Sequence, residues 1–350
     1  MLHLIVLIFF IFSLLTIILA SPLTSSRFGP KTRSIDIINE YGSVVKGKTA
    51  IVTGGNSGIG LETVRSLASV GVKTKLLCRN KEAGLKSIES FSPNLKDNIS
   101  VYVCDLEDLK SIKSFVDQLQ EQEKKEEEAL DILILNAGIM ALPNREETCN
   151  QWEKQIGVNH FGHVYLYSLL ERNLLKSKYI PRVVTLASTA HTFGNININD
   201  LHYNNGNNKY SAWGAYGQSK LANILFAKGL SDRMKDKMIS LSVHPGVIKT
   251  NLWRHSTSKG GVFDWLLEQL IADKDIEQGA ATTLWTAISP RCELSDMRGT
   301  YCSDCNPKRP SKNARKFSLR EELWKTTKIQ LEKALRKNDI DIPDSVVFKQ

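Results

Sequence analysis

The sequence predicts a single α/β domain: a doubly wound parallel sheet with helices on both faces. Two observations carry that prediction. Short apolar, β-rich runs alternate with longer segments of helical period, which implies βαβ units. The first of these runs passes straight into a glycine-rich turn that opens the first helix. Right-handed crossovers then place helices on the two faces of the sheet. At 350 residues the chain can bury a full core.

The elements follow in order. Residues 1–20, MLHLIVLIFFIFSLLTIILA, contain no Asp, Glu, Lys or Arg. As a helix rising about 1.5 Å per residue they span roughly 30 Å, the hydrocarbon thickness of a bilayer. A cleaved signal peptide competes with that reading. Against it, no Lys or Arg precedes the run, which is also longer than a usual signal core. Positive charge comes afterwards, with Arg27, Lys31, Arg33, Lys46 and Lys48 set against Asp36 and Glu40. By the positive-inside rule the body stays on the cytosolic side. The expectation is an uncleaved transmembrane anchor, then a polar linker over 21–46.

KTAIVTG (48–54) reads as a buried strand entering a turn, and LETVRSLASVG as a helix stopped by Gly71. VKTKLLC is a second strand and NISVYVCDL holds a third. A charged helix then runs into QEQEKKEEEA, a solvated extension or loop. LDILILNAG, PRVVTLAS and MISLSVHPG are strands four to six, separated by helical segments at about 151–176 and 214–230. NININDLHYNNGNNKY (195–210) has no period and reads as a loop. The closing segment, FSLREELWKTTKIQLEKALRK, carries Leu323, Trp324, Ile329, Leu331 and Leu335 among cations. It reads as an amphipathic helix that packs on the domain.

The net charge is +9, and from Lys308 to Lys337 eleven Lys/Arg face three acidic residues. That end suits an anionic membrane surface or an acidic partner; no nucleic-acid recognition motif accompanies it. Six cysteines in a chain this long do not make a disulfide framework. Cys302 and Cys305 form one CxxC without a second pair or a His partner, so a structural role is expected. His160, His163 and His244 lack a metal-ligand spacing and are assigned to structure; no metal is expected.

In TGGNSGIG the glycines at 54, 58 and 60 let backbone approach a pyrophosphate, and the helix start behind them offers oriented N–H groups. Ser57 and Ile59 lie within the same turn. No Gly-Lys-Ser/Thr follows, which excludes a Walker loop. Further on, Tyr216 and Lys220 stand four residues apart in a helix, so both side chains can serve one site.

Together, TGxxxGxG after strand one, Asn136-Ala137-Gly138 after strand four, Ser188 after strand five and Tyr216-xxx-Lys220 resemble the short-chain dehydrogenase/reductase family. The resemblance covers about 47–305. It implies a Rossmann-type domain there, with 306–350 as a basic helical extension. CRN after strand two, VNHFGHVYL, HPGVIKTNL and YCSDC look like the membrane-anchored, retinol-dehydrogenase-like branch. The resemblance implies that Tyr216 is the acid/base and that Lys220 lowers its pKa and binds the nicotinamide ribose. Ser188 would hold the substrate oxygen, and Asn159 a water of the proton relay. Gly54, Ser57, Gly58, Ile59 and Gly60 would meet the pyrophosphate, Asp105 the adenine, and Asn136, Ala137 and Gly138 the cofactor's inner side. Pro245, Gly246 and Thr250 would hold the carboxamide.

Strand two ends in Cys78-Arg79-Asn80, without the carboxylate that binds a bare ribose. Arg79 can hold a 2′-phosphate, so the cofactor expected is NADP(H). The expected function is NADP-dependent interconversion of an alcohol and a carbonyl on a lipophilic, retinoid-like substrate. Steroid or xenobiotic carbonyls are the alternative substrates, and a nucleotide-binding membrane scaffold is the alternative class. The expected setting is the endoplasmic reticulum membrane with the body in the cytosol, and a homodimer is the candidate assembly.

Overall fold

A computed structural model describes residues 27–122, 129–204, 209–248 and 274–349. The apolar run at 1–20 and Thr250 lie outside these. Among the described residues no helix is long and apolar enough to cross a membrane.

The six strands read from the sequence are β1 (Thr49–Thr53), β2 (Lys73–Cys78), β3 (Ile99–Val103), β4 (Ile132–Leu135), β5 (Arg182–Leu186) and β6 (Ile239–His244). β1, β4, β5 and β6 are buried at every position, because helices cover both faces. Two short strands, β7 (Tyr301–Ser303) and β8 (Asn306–Lys308), add to the sheet beyond β6. The full order is β3-β2-β1-β4-β5-β6-β7-β8, and every pair is parallel except β7–β8. Asp304 and Cys305 turn that final hairpin with φ of +55° and +56°, the pattern of a two-residue hairpin loop. The CxxC segment is therefore a hairpin, and Cys302 and Cys305 are buried free thiols.

One core lies between the sheet and α4 (Leu109–Gln122), α5 (His163–Leu175), α6 (Ala212–Met234) and α8 (Phe317–Lys337). The opposite core is closed by α1 (Ser34–Tyr41), α2 (Gly58–Ser69) and α7 (Ile276–Ile288), with Ile37, Leu67 and Trp285 fully buried. A short α3 (Lys81–Ser87) follows β2.

Packing continues beyond 47 and 305 at both ends. Phe28, Ile37, Ile38 and Val45 belong to the second core, so the expected linker contains a packed helix. At the other end, α6 is buried on its outer side as well, by α8. Trp324 stacks on Phe226 with ring centroids 5.8 Å apart, and the Arg233 guanidinium lies 4.0 Å over the Trp324 ring. Arg320 pairs with Asp232 at 2.6 Å, and Leu323, Leu331 and Leu335 join the core. Without α8 that apolar flank of α6 would face water. Ile329, by contrast, remains half exposed.

Leu331 is fully buried. Leu331→Ala is therefore expected to destabilise the whole fold by about 2–5 kcal/mol in denaturant unfolding. A detachable terminal helix would leave the main transition unmoved.

Candidate active site

The winding of the sheet reverses at β1, which pairs with β2 on one side and β4 on the other. In such sheets a crevice opens beyond the carboxyl ends of the strands at that reversal. The glycine turn forms its floor. Gly54 takes a φ of +63°, and a Cβ placed on Gly60 would sit 2.2 Å from the Gly54 carbonyl oxygen, so no other residue fits there. The first-turn amides of α2 lie behind this turn as donors without helical acceptors.

Thr53 fastens the two sides of the crevice. Its hydroxyl oxygen accepts from the Asn136 and Ala137 amides at 2.8 and 2.9 Å, and the Asn136 side chain donates to the Thr53 carbonyl at 2.8 Å. Gly138 follows, close to the Asn159 side chain and the Lys220 ammonium.

The far wall comes from the end of β5 and the first turns of α6. Tyr216 and Lys220 are both buried. The Lys220 Nζ donates to the Leu186 carbonyl at 3.1 Å and lies 5.6 Å from the centre of the Tyr216 ring. Burial pushes the Tyr216 phenol up to about 12, against the opposing effect of its hydrogen bond with Ser188. Burial also lowers the Lys220 ammonium to about 8. Desolvation of the phenolate sets the direction of the Tyr216 shift.

Asn159 lies in a π-helical turn, Gly157–Gly162, between the lead-in helix Lys154–Ile156 and α5. Such turns recur at functional sites. Its Oδ1 accepts from the Ile139 amide at 2.8 Å, while Nδ2 donates to the Ile139 carbonyl at 3.0 Å and to Ser219 Oγ at 2.9 Å. Through these bonds Asn159 clamps the Ile139 turn to α6 beside Lys220.

The glycine turn, Arg79, Asp105, the 136–138 turn, Tyr216, Lys220 and Pro245 line one cleft of about 600 Å³. Ser188 joins it through its bond to Tyr216, and Gly246 follows Pro245. Asn159 does not line the cleft but is buried beside Gly138. A depression at the opposite end of the strands, walled by Lys46, Ser69, Gly71 and Asn98, brings together no acid–base constellation. Sequence reasoning passed over Thr53, although it stands in the quoted turn. It also missed Lys86, Ser87 and Glu107, which line the outer end of the cleft. Lys86 and Ser87 lie on α3, just past the Arg79 position, and a helix starting there puts them over the end of β2. Glu107 pairs with Arg79 at 3.3 Å and with Lys154 at 3.1 Å.

These residues fit a nicotinamide dinucleotide: a glycine cradle that a Cβ would fill, cations at one end, and a phenol–ammonium pair at the other. His160 and His163 are buried and neutral, pushed down to about 4 and about 3 by desolvation.

A short chain dehydrogenase family model matches residues 48–260, and the chain belongs to that family. It is an oxidoreductase of the retinol-dehydrogenase-like branch. It is 38% identical to mouse retinol dehydrogenase 12 over 285 residues, which cover 80% of this chain and 85% of that protein. A chloroplastic short-chain dehydrogenase of Brassica napus, TIC 32 A, is 36% identical over 309 residues, covering 85% of this chain and 92% of the relative. A solved structure from Mycobacterium paratuberculosis superposes with a TM-score of 0.65 at 29% identity, covering 82% of this chain and 94% of that one.

Proposed function

We propose that this chain uses NADP(H) to interconvert a lipophilic alcohol and its aldehyde or ketone, with Tyr216 moving the proton. The observation that carries the reading is the convergence of Ser188, Tyr216 and Lys220 at one end of a cleft whose other end holds Arg79. Bound in the cleft, the nicotinamide supplies or accepts the hydride. Tyr216 then protonates the carbonyl oxygen in reduction, or takes the proton from the alcohol in the reverse direction. Burial keeps the Tyr216 phenol protonated, the form that donates to the carbonyl oxygen in reduction. Lys220 stabilises the phenolate left behind, and Ser188 donates to the substrate oxygen as charge develops there.

Two features favour an apolar substrate. Phe193, five residues past Ser188, is 57% exposed. Trp213, packed edge-on to Tyr216 at 6.0 Å, is 42% exposed. The named retinol dehydrogenases among the relatives make retinoids the first substrates to try.

We also assign residues 1–20 to a membrane anchor, on their predominantly apolar composition and lack of Asp, Glu, Lys and Arg. The full chain should then pellet with membranes through carbonate washing. Its release into the supernatant would refute the anchor.

The cofactor assignment rests on Arg79, with Lys86 beside it and no carboxylate at the end of β2. The function is tested with NADPH and NADH against retinal, a steroid ketone and short aldehydes. Turnover with NADPH is expected, and binding without any turnover would support a scaffold instead. A charge-assisted contact is worth about 1.5–3 kcal/mol, so Arg79→Ala should weaken NADPH roughly ten- to a hundredfold and leave NADH nearly unchanged. Equal weakening of both would mean that Arg79 acts on the adenine or on the loop.

A further inference from the structure

We propose that His163 is the positioning residue that couples the cofactor loop to the catalytic wall, one ring nitrogen holding Thr53 and the other the Asn159 carbonyl. The inference rests on the function proposed above and adds a residue to it. His163 opens α5 directly after the π-helical turn and is 1% exposed. Its Nδ1 lies 3.0 Å from the Asn159 carbonyl oxygen, and its Nε2 lies 2.9 Å from Thr53 Oγ1.

The hydrogen-bond roles follow from the partners. A carbonyl only accepts, so Nδ1 carries the proton. In a neutral ring Nε2 is then an acceptor, and the Thr53 hydroxyl must donate to it. Burial holds His163 neutral well below physiological pH. With its proton committed to His163, the Thr53 oxygen turns its lone pairs to the Asn136 and Ala137 amides. The hydroxyl's other acceptor, the Ile134 carbonyl, lies at 3.5 Å, the longer of its two choices. At the ring's other end, Asn159 grips the Ile139 turn and Ser219, the neighbour of Lys220. One imidazole therefore fixes the hydroxyl that aligns the cofactor floor and the peptide that aligns the proton-transfer wall. A purely space-filling residue at this buried position would need no polar atoms, whereas here both ring nitrogens are used.

The two halves can be separated by substitution. In His163→Asn the side-chain Nδ2 replaces Nδ1 and keeps the Asn159 contact but cannot reach Thr53. In His163→Gln the longer side chain reaches Thr53 and gives up Asn159. The measurements, on the full chain, are the calorimetric dissociation constant for NADPH and kcat for whichever carbonyl the wild type reduces. Losing one buried hydrogen bond is expected to weaken NADPH roughly tenfold in His163→Asn, with kcat within about twofold of wild type. His163→Gln should show the reverse, kcat down roughly tenfold and NADPH binding nearly retained. Thr53→Val removes the Thr53 bond from its other end, so it reads that arm even where a histidine variant fails to fold. It should weaken NADPH while Thr53→Ser restores binding. Parallel losses of binding and kcat in both histidine variants, or wild-type NADPH binding in Thr53→Val, would overturn the coupling. A wild type that binds NADPH yet reduces no carbonyl would overturn the proposed function, and the binding arm would still report on Thr53.

Discussion

Everything in the site depends on the reversal of winding between β1 and β4. β1 is hydrogen-bonded on both sides, so the strands beneath the crevice cannot spread, while connections leave in opposite directions above it. The ends of those two strands carry the glycine turn and the 136–138 turn, and Thr53 binds one to the other. Shifting either strand by one residue would turn Thr53 away from those amides and undo the cleft.

The far wall carries the energetic cost of the site. A lysine ammonium and a tyrosine beside it are buried, and burial disfavours the charged form of each. The Leu186 carbonyl offsets part of the lysine's desolvation, and α6 is held rigid between the sheet and α8. The terminal helix lies far along the chain from the glycine turn, yet it buttresses the helix that presents Tyr216 and Lys220. This connects the basic C-terminal sequence to function through packing: its apolar stripe seals α6 and its buried Arg320 pairs with Asp232 of α6.

Much of this was legible in the sequence. Six strands, the glycine turn and the Tyr216–Lys220 spacing stand out because local periodicity and turn chemistry specify them. The β7–β8 hairpin was not, since its strands are three residues long and its turn uses Asp304 and Cys305 where Asn-Gly would have signalled it. α1 was hidden because eight residues between polar flanks make a weak helical signal, and its burial comes from α7 and α2. Spacing shows that a lysine is near Tyr216, but only the fold shows how thoroughly the phenol is desolvated. His163 gives no sign at all, because its role comes from Thr53, 110 positions away.

The proton role of Tyr216 is checked by a single-turnover measurement on Tyr216→Phe, which removes one hydroxyl and keeps the ring that fills the wall. NADPH should bind as in the wild type, while the rate of carbonyl reduction falls by about 10²–10⁴, the usual contribution of a positioned general acid. An undiminished rate for the chemical step, with NADPH bound normally, would show that the proton comes from elsewhere.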